Sequence, residues 1–136
     1  MKFLKLTIII LVCLFTASGY AKELKFDPYT KEDIALEVVW ATFHIIDWGQ
    51  TLNIADNPQK YRETNPFLSD HPSKGSVNLY MVAWLVAHPL ITYVLPKEVV
   101  IFDCKIPLRA AFQTVSIGLS GYATIHNFGM GVHISF

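Results

Sequence analysis

The sequence predicts an all-α protein: a small membrane bundle of about three helices that follows a signal peptide and can end in a short β-strand. Of the 136 residues, 52 % are hydrophobic and 16 % are charged, whereas an ordinary soluble domain carries about 25 % charged residues. Residues 76–96 and 110–136 contain no Asp, Glu, Lys or Arg. Such segments are unfavourable on a surface exposed to water, so the sequence predicts that a lipid bilayer surrounds the chain.

Length and charge narrow the range of functions. A chain of this length forms one domain. It carries 11 Lys+Arg and 11 Asp+Glu, a formal net charge of zero, and its basic residues form no stripe. Nucleic acid is therefore excluded as a partner, because its phosphates require clustered Lys and Arg.

Residues 1–21 have the layout of a secretory signal peptide, with two early lysines, an apolar run and small residues before a cleavage site after Ala21. The alternative is an uncleaved anchor, since the apolar run is only slightly shorter than a spanning helix. Cleavage leaves residues 22–136 as a single membrane-associated helical domain. Its one cysteine is Cys104, so no disulfide can form within it.

The first helix is predicted over residues 31–55. Thr30 and Asp33 have the spacing of a capping box, in which a hydroxyl and an acid three residues later satisfy free backbone donors. Beside the apolar residues of this segment runs a polar stripe of Glu37, His44, Asp47 and Thr51. The stripe lies on one helix face, which either faces water or faces the protein interior and marks a site.

A connection over residues 56–76 contains three prolines, and loops of this length are commonly functional or disordered. The second helix is predicted over residues 76–96, long enough to cross a bilayer. Pro89 should bend it, because proline removes a backbone donor. The segment 99–102 fits either a short strand or an interfacial segment.

The third helix is predicted from near Pro107 to about Asn127. Its small residues recur at four-residue steps, a spacing that lets helices approach closely in a membrane. They are Ala110, Thr114 and Gly118, together with Ser116 and Ser120. We expect them to form a helix-packing surface for a homo-oligomer or a membrane protein partner.

The tail, residues 128–136, alternates between apolar and small or polar residues, the period of a strand with one apolar face. A strand that ends in Phe136 resembles the closing strand of an outer-membrane barrel. The bacterial cell membrane is the predicted location, and the outer membrane or the periplasmic face is the alternative.

Six polar residues form the candidate site: Asp47, Gln50, Thr51, Glu63, Asn65 and His88. Ionisable groups at membrane depth are costly and usually face a bundle interior, where they pair with one another. Two interpretations stay open. The group is either a structural clamp that fastens the long connection to the helix ends, or a site for a substrate or an ion.

His44, Asp47 and His88 are the candidate metal ligands, and the two histidines are the one pair that could face across a bundle to hold haem. No compact zinc motif is present, and a single mature cysteine excludes a thiolate cluster. Hydrogen bonds between helices are the alternative role of the histidines, and no cofactor is expected. Ser120 and His126 could be taken for a serine–histidine catalytic pair, but they lie about 240° apart on one helix. Their side chains therefore point to different faces and cannot hydrogen-bond, and no catalytic residue is predicted.

Asp47-x-x-x-Thr51, followed by Glu63-Thr-Asn65-Pro66 and a charge-poor helix, resembles a family of small, uncharacterised bacterial and phage-encoded membrane proteins with an E-x-N-P signature. The resemblance covers about residues 47–96. It implies a helical membrane protein of about three helices, and it implies no activity.

These observations favour a non-enzymatic integral membrane component of the bacterial cell envelope that acts through self-assembly or a protein partner. The alternative function is binding or transport of a proton, a metal or another small ion by the polar cluster between the first two helices. The sequence offers less support for an enzyme.

Overall fold

The computed structural model describes residues 27–136, which form three helices and one hairpin. Helix α1 is Lys31–Asp56, α2 is Lys74–Val94 and α3 is Leu108–Gly129, and strands β1 (Val99–Ile101) and β2 (Cys104–Ile106) pair between α2 and α3. The predicted helical bundle is confirmed, with every helix end within two residues of its predicted position. The predicted signal peptide lies outside the described residues.

Helix α2 is antiparallel to α1. Near the beginning of α1, the hydroxyl of Tyr29 donates to the carbonyl of Pro89, late in α2, at 2.6 Å. Further along α1, the ring of His44 meets the carbonyl of Met81, which is early in α2, at 3.0 Å. The prolines of the connection before α2 thus return the chain along α1.

Helix α3 is parallel to α1, because the hairpin between α2 and α3 reverses the chain again. Arg109 bonds to Asp33 at one end of the bundle, and Asn127 bonds to Asp47 towards the other. Helix α1 is central, since it packs against both other helices and most extensively against α3.

Side chains cap the first two helices. At α1, the N–H of Asp33 donates to the Thr30 hydroxyl at 3.1 Å and the N–H of Thr30 donates to Asp33 Oδ2 at 2.9 Å, so the predicted capping box is confirmed. At α2, Ser73 accepts from the N–H of Ser76 at 3.1 Å. Helix α2 continues through Pro89.

The sequence allowed either a short strand or an interfacial segment after α2, and the structure has a strand there. β1 and β2 are joined by Phe102 and Asp103, both at positive φ (48° and 62°), the backbone of a tight two-residue hairpin turn. The side chain of Phe102 is 96 % exposed at this tip.

The predicted C-terminal strand is wrong. Helix α3 continues to Gly129, and the tail after it pairs with no strand of residues 27–136. Instead the tail lies on α1, where the N–H of Ser135 donates to the carbonyl of Gly49 at 3.0 Å. The tail can approach so closely because Gly49 has no side chain: a Cβ there would lie 2.6 Å from Ile134 Cγ2. The alternation reflects packing on a helix, with Val132 fully buried.

Among residues 27–136, more polar than hydrophobic side chains are buried, and many large hydrophobic side chains are exposed. Six hydrophobic residues of this range are buried: Trp40, Leu52, Ile54, Val77, Met81 and Val132. Ten polar or charged residues are buried: Asp33, His44, Gln50, Thr51, His88, Thr92, Arg109, Gln113, Thr124 and Asn127. Helix α2 is the one helix of the described chain that is long and apolar enough to cross a membrane by length and composition.

Two glycines in helices should respond oppositely to alanine. Gly118→Ala should raise the free energy of unfolding by about 0.5–1 kcal/mol, because nothing lies within 4 Å of the new methyl group and alanine favours a helix over glycine. Gly49→Ala should lower it by roughly 1 kcal/mol, since the methyl group overlaps the tail. Urea unfolding of both variants measures the difference, and equal stabilisation would show that the tail does not lie on α1.

Candidate functional site

The polar stripe of α1 lies inside the bundle. Asp33 and His44 are buried, and Glu37 and Asp47 bond to side chains of the neighbouring helices. Steps of three or four residues and their sums keep these positions on one helix face. Of the two orientations that the sequence allowed, the structure has the interior one.

A carboxylate of α1 and an imidazole of α2 meet beside the first half of α1. We call this group of three residues the His88 site: His88, Glu37 and Gln113. His88 Nδ1 lies 2.7 Å from Glu37 Oε1, and Gln113 Nε2 donates to Glu37 Oε2 at 3.0 Å. The same Gln113 nitrogen donates to the carbonyl of Asp33 at 2.9 Å. His88 and Gln113 are almost completely buried, so all three helices contribute to one enclosed polar contact.

Aromatic rings surround this contact. The indole of Trp40 stacks on His88 at 3.6 Å between ring centroids with an interplanar angle of 7°, and Phe112 stacks on it at 4.8 Å. Trp40 also stacks on His44 at 4.9 Å. Glu37 therefore bonds both to His88 and to Gln113 beside a stack of aromatic rings.

Arg109 closes the adjacent end of the bundle. Its fully buried guanidinium lies 3.1 Å from Asp33 Oδ2 and donates to the carbonyls of Asp27 and Leu95, each at 2.9 Å, and of Pro28 at 3.4 Å. These acceptors belong to the lead before α1, to α1 itself and to the end of α2. One side chain thus joins three segments to α3.

Asp33, in the first turn of α1, is held in the charged form that Arg109 requires. Its Oδ2 accepts from the N–H of Thr30 at 2.9 Å and lies 3.1 Å from Nη1 of Arg109, and both contacts stabilise the charged carboxylate. The ion pair is therefore intact at neutral pH.

A second polar group, the Asp47 site, lies towards the other end: Asp47, Gln50, Glu63 and Asn127. Asn127 Nδ2 donates to Asp47 Oδ1 at 3.2 Å, and Gln50 Nε2 donates to a backbone carbonyl of α3 at 3.2 Å. Glu63 enters from the connection; its Oε1 accepts from the N–H of Asn65 at 2.7 Å. Glu63 also interacts electrostatically with Asp47, so two carboxyl groups share this end.

Four buried side-chain atoms have no hydrogen-bond partner among the described residues, two in each site. They are Gln50 Oε1 and Glu63 Oε2 in the Asp47 site, and His88 Nε2 and Gln113 Oε1 in the His88 site. Leaving such an atom unsatisfied costs about 1–3 kcal/mol. Atoms of this kind mark places where a protein can hold a proton, an ion or a ligand.

The structure divides the predicted polar cluster. Five of its members lie at one end of the bundle: Asp47, Gln50, Thr51, Glu63 and Asn65. His88 does not join them, because its partner Glu37 precedes Asp47 on α1 by about 15 Å at the helical rise. The sequence predicted one site, and the structure contains two.

The candidate metal ligands do not converge on one point. His44 and His88 both contact Trp40, whereas Asp47 bonds to Asn127. Among residues 27–136, no three His, Cys, Asp or Glu side chains are grouped so that they could hold a metal ion. The indole that stacks on both imidazoles occupies the place where a haem would have to bind between them.

The small residues of α3 divide between two sides of the helix. Thr114 and Gly118 are exposed, while Ala110, Ser116 and Ser120 are half-buried. The fully buried positions of α3 carry mostly larger polar residues: Arg109, Gln113, Thr124 and Asn127, with Gly121 among them. Packing of the small residues against another chain stays a prediction.

Sequence reasoning did not identify Arg109, Gln113 and Asn127 as site residues, nor Glu37 as the partner of His88. A signal was present, since the three polar residues of α3 recur at helical spacing on a largely apolar helix. Their steps of four and fourteen residues return to the same face, the one that meets the stripe of α1.

Arg109→Met should lower the free energy of unfolding by about 3–5 kcal/mol, because it leaves Asp33 as an uncompensated buried charge. Lys105→Met is the matched control, since the Lys105–Glu98 pair is exposed and 3.5 Å apart; it should cost less than about 1 kcal/mol. Denaturant unfolding compares them. Equal, small losses would mean that Arg109 is not buried in the folded protein.

Comparison of the chain with protein-family models, with curated proteins and with solved structures finds no match. The described residues form a bundle that exposes many large apolar side chains, buries more polar than hydrophobic ones, and carries two polar groups on the inner face of α1.

Proposed function

We propose that this protein is a non-enzymatic integral membrane component of the bacterial cell envelope, and that the outer surface of the bundle lies in lipid. The observation that carries the proposal is the reversed distribution of side chains in residues 27–136, where more polar than hydrophobic residues are buried and large apolar residues are exposed on every helix. Soluble proteins bury their aliphatic residues and keep most charged ones at the surface.

An exposed apolar surface runs along the first half of α1, along α2 and along α3 from Val115 onwards. Its most exposed members include Val38 and Ile45 on α1, Leu79, Val86 and Leu90 on α2, and Val115, Leu119, Tyr122 and Ile125 on α3. In water this surface would promote aggregation. In a bilayer it is the ordinary condition, because lipid tails are as apolar as leucine.

The buried charges support the same proposal. Ionisable groups at membrane depth face the bundle interior and pair with one another, which is the arrangement of Glu37 with His88. Arg109 and Asp33 lie level with the end of α2, whose 21 residues span about 31 Å, close to the thickness of a hydrocarbon core.

Assembly is the activity we propose for this component. The outward side of α3 exposes Thr114 and Gly118 between large apolar residues, and a Cβ at Gly118 meets no atom within 4 Å. A second helix, from another copy or from a protein partner, can approach this side closely.

Val86→Lys tests the membrane proposal, since Val86 lies in the middle of α2 with its side chain 56 % exposed. In lipid the lysine costs about 3 kcal/mol, so the fraction of the chain that resists alkaline extraction from membranes should fall severalfold. Thr64→Lys, in the exposed part of the connection, should leave it unchanged. A wild-type chain that washes off the membrane, with Val86→Lys as stable as wild type, would refute the proposal.

A second candidate function is binding of a small cation or a proton at the Asp47 site. The observation that favours it is chemical: both unpartnered atoms there are oxygens, and two carboxyl groups lie beside them. Oxygen atoms of carboxylates and amides are the ligands that hard cations prefer. A structural clamp would instead need donors for these oxygens.

Calcium chloride and sodium chloride, compared at equal ionic strength, test this candidate through the thermal unfolding midpoint. A bound cation should raise the midpoint of the wild-type protein in a concentration-dependent way, and Asp47→Asn should abolish the rise. Asp70→Asn, which changes an exposed carboxylate, should not. If all three proteins respond alike, or none responds while Asp47→Asn loses stability, the Asp47 site is a clamp.

A further inference from the structure

We propose that His88 Nε2 is a proton-binding atom, so that the Glu37–His88 pair takes up and releases one proton inside the bundle. This site is separate from the Asp47 site, and its contacts are the same whether lipid or water surrounds the outer surface. Its ligand is the proton itself.

The hydrogen bond to Glu37 fixes the tautomer of the neutral ring. A carboxylate only accepts, so the 2.7 Å contact between Nδ1 and Glu37 Oε1 requires the hydrogen on Nδ1. The lone pair of the neutral imidazole is then on Nε2. That atom is buried and has no partner among the described residues, which makes it the one position of the ring where a proton can be added.

The surroundings stabilise the ring after the proton is added. The charge of Glu37 compensates the imidazolium, and Gln113 keeps this carboxylate in place by donating to its second oxygen at 3.0 Å. The stacked faces of Trp40 and Phe112 also attract a cation. Protonation turns Nε2 into a donor, and the site holds an acceptor without a partner, Gln113 Oε1.

Among residues 27–136, five charged or titratable groups surround this site. They are Glu37, His44 and Asp33 on α1, Arg109 on α3, which is paired with Asp33, and Tyr29 before α1, whose hydroxyl bonds to the carbonyl of Pro89. Helix α2 itself contributes none, since residues 76–96 contain no charged side chain. Glu37 is therefore the charged group in direct contact with the imidazole of His88.

The helix is weakened at the point where a proton has to enter. Pro89 directly follows His88 and removes the backbone bond to the carbonyl of Leu85, so α2 lacks one hydrogen bond in the turn that carries the imidazole. Local opening of a helix is easiest where its hydrogen bonds are fewest. The buried site can exchange protons through this turn.

Nitrogen NMR of the ¹⁵N-histidine-labelled full-length protein tests the proposal directly. His71, His126 and His133 are all exposed, so changing each to Gln leaves two buried histidines without disturbing the interior. These two are distinguishable, because His44 uses Nε2 for its bond to Met81 and His88 uses Nδ1. We expect His88 to keep its Nδ1 hydrogen over the whole pH range while Nε2 changes from unprotonated to protonated with one midpoint.

Trp40 supplies a second measurement on the same site. With Trp48 and Trp84 changed to Phe, its fluorescence should fall with the same midpoint as the NMR signal, since a protonated imidazole stacked on an indole quenches it. Glu37→Gln should weaken proton binding about tenfold or more, because it removes the opposite charge, and should move the midpoint to lower pH. His88→Gln should abolish the transition, and His44→Gln should retain it.

Two results would overturn the proposal. One is a His88 Nε2 signal that stays in a single protonation state between pH 4 and 9 in the folded protein. The other is a Trp40 transition that persists in His88→Gln, which would assign the proton to His44. The NMR measurement keeps all contacts of His88 intact, so it decides the question even if the Glu37 and His88 variants fail to fold.

Discussion

The guanidinium of Arg109 is the contact on which one end of the bundle depends. It is fully buried, and its partners come from the lead, from the first turn of α1 and from the end of α2. A planar group with five donors suits this position, because each acceptor lies in a different direction and lysine could not reach them together. With Arg109 in place, α3 is set parallel to α1, and Gln113, one turn later, reaches Glu37.

Much of the fold follows from local sequence patterns. The capping box at Thr30 and Asp33, the charge-free segment that becomes α2 and the turn residues of the connection each determine structure within a few residues. The tail was wrongly predicted to be a strand, and the reason is physical. Alternating residues describe a side-chain period, but a strand also needs a neighbour for its backbone, and here the neighbour is the helix backbone at Gly49.

The candidate site was only partly predictable. The stripe of α1 was visible from its spacing, yet spacing on one helix does not say which partner each residue meets. The sequence grouped His88 with Asp47, whereas the antiparallel packing of α2 places His88 beside Glu37. Gln113 and Asn127 recur with Arg109 on one face of α3, but this spacing does not identify their partners until the facing residues are known.

The up-down-up order of the helices has a consequence for sidedness. Because α2 runs antiparallel to α1 and α3, the lead and the hairpin lie at one end of the bundle, and the connection and the C-terminal tail lie at the opposite end. In a bilayer these ends belong to different compartments. The proposed proton site at His88, beside the Arg109 end, would then lie near one compartment, and the proposed cation site at Asp47, next to the connection, would lie near the other.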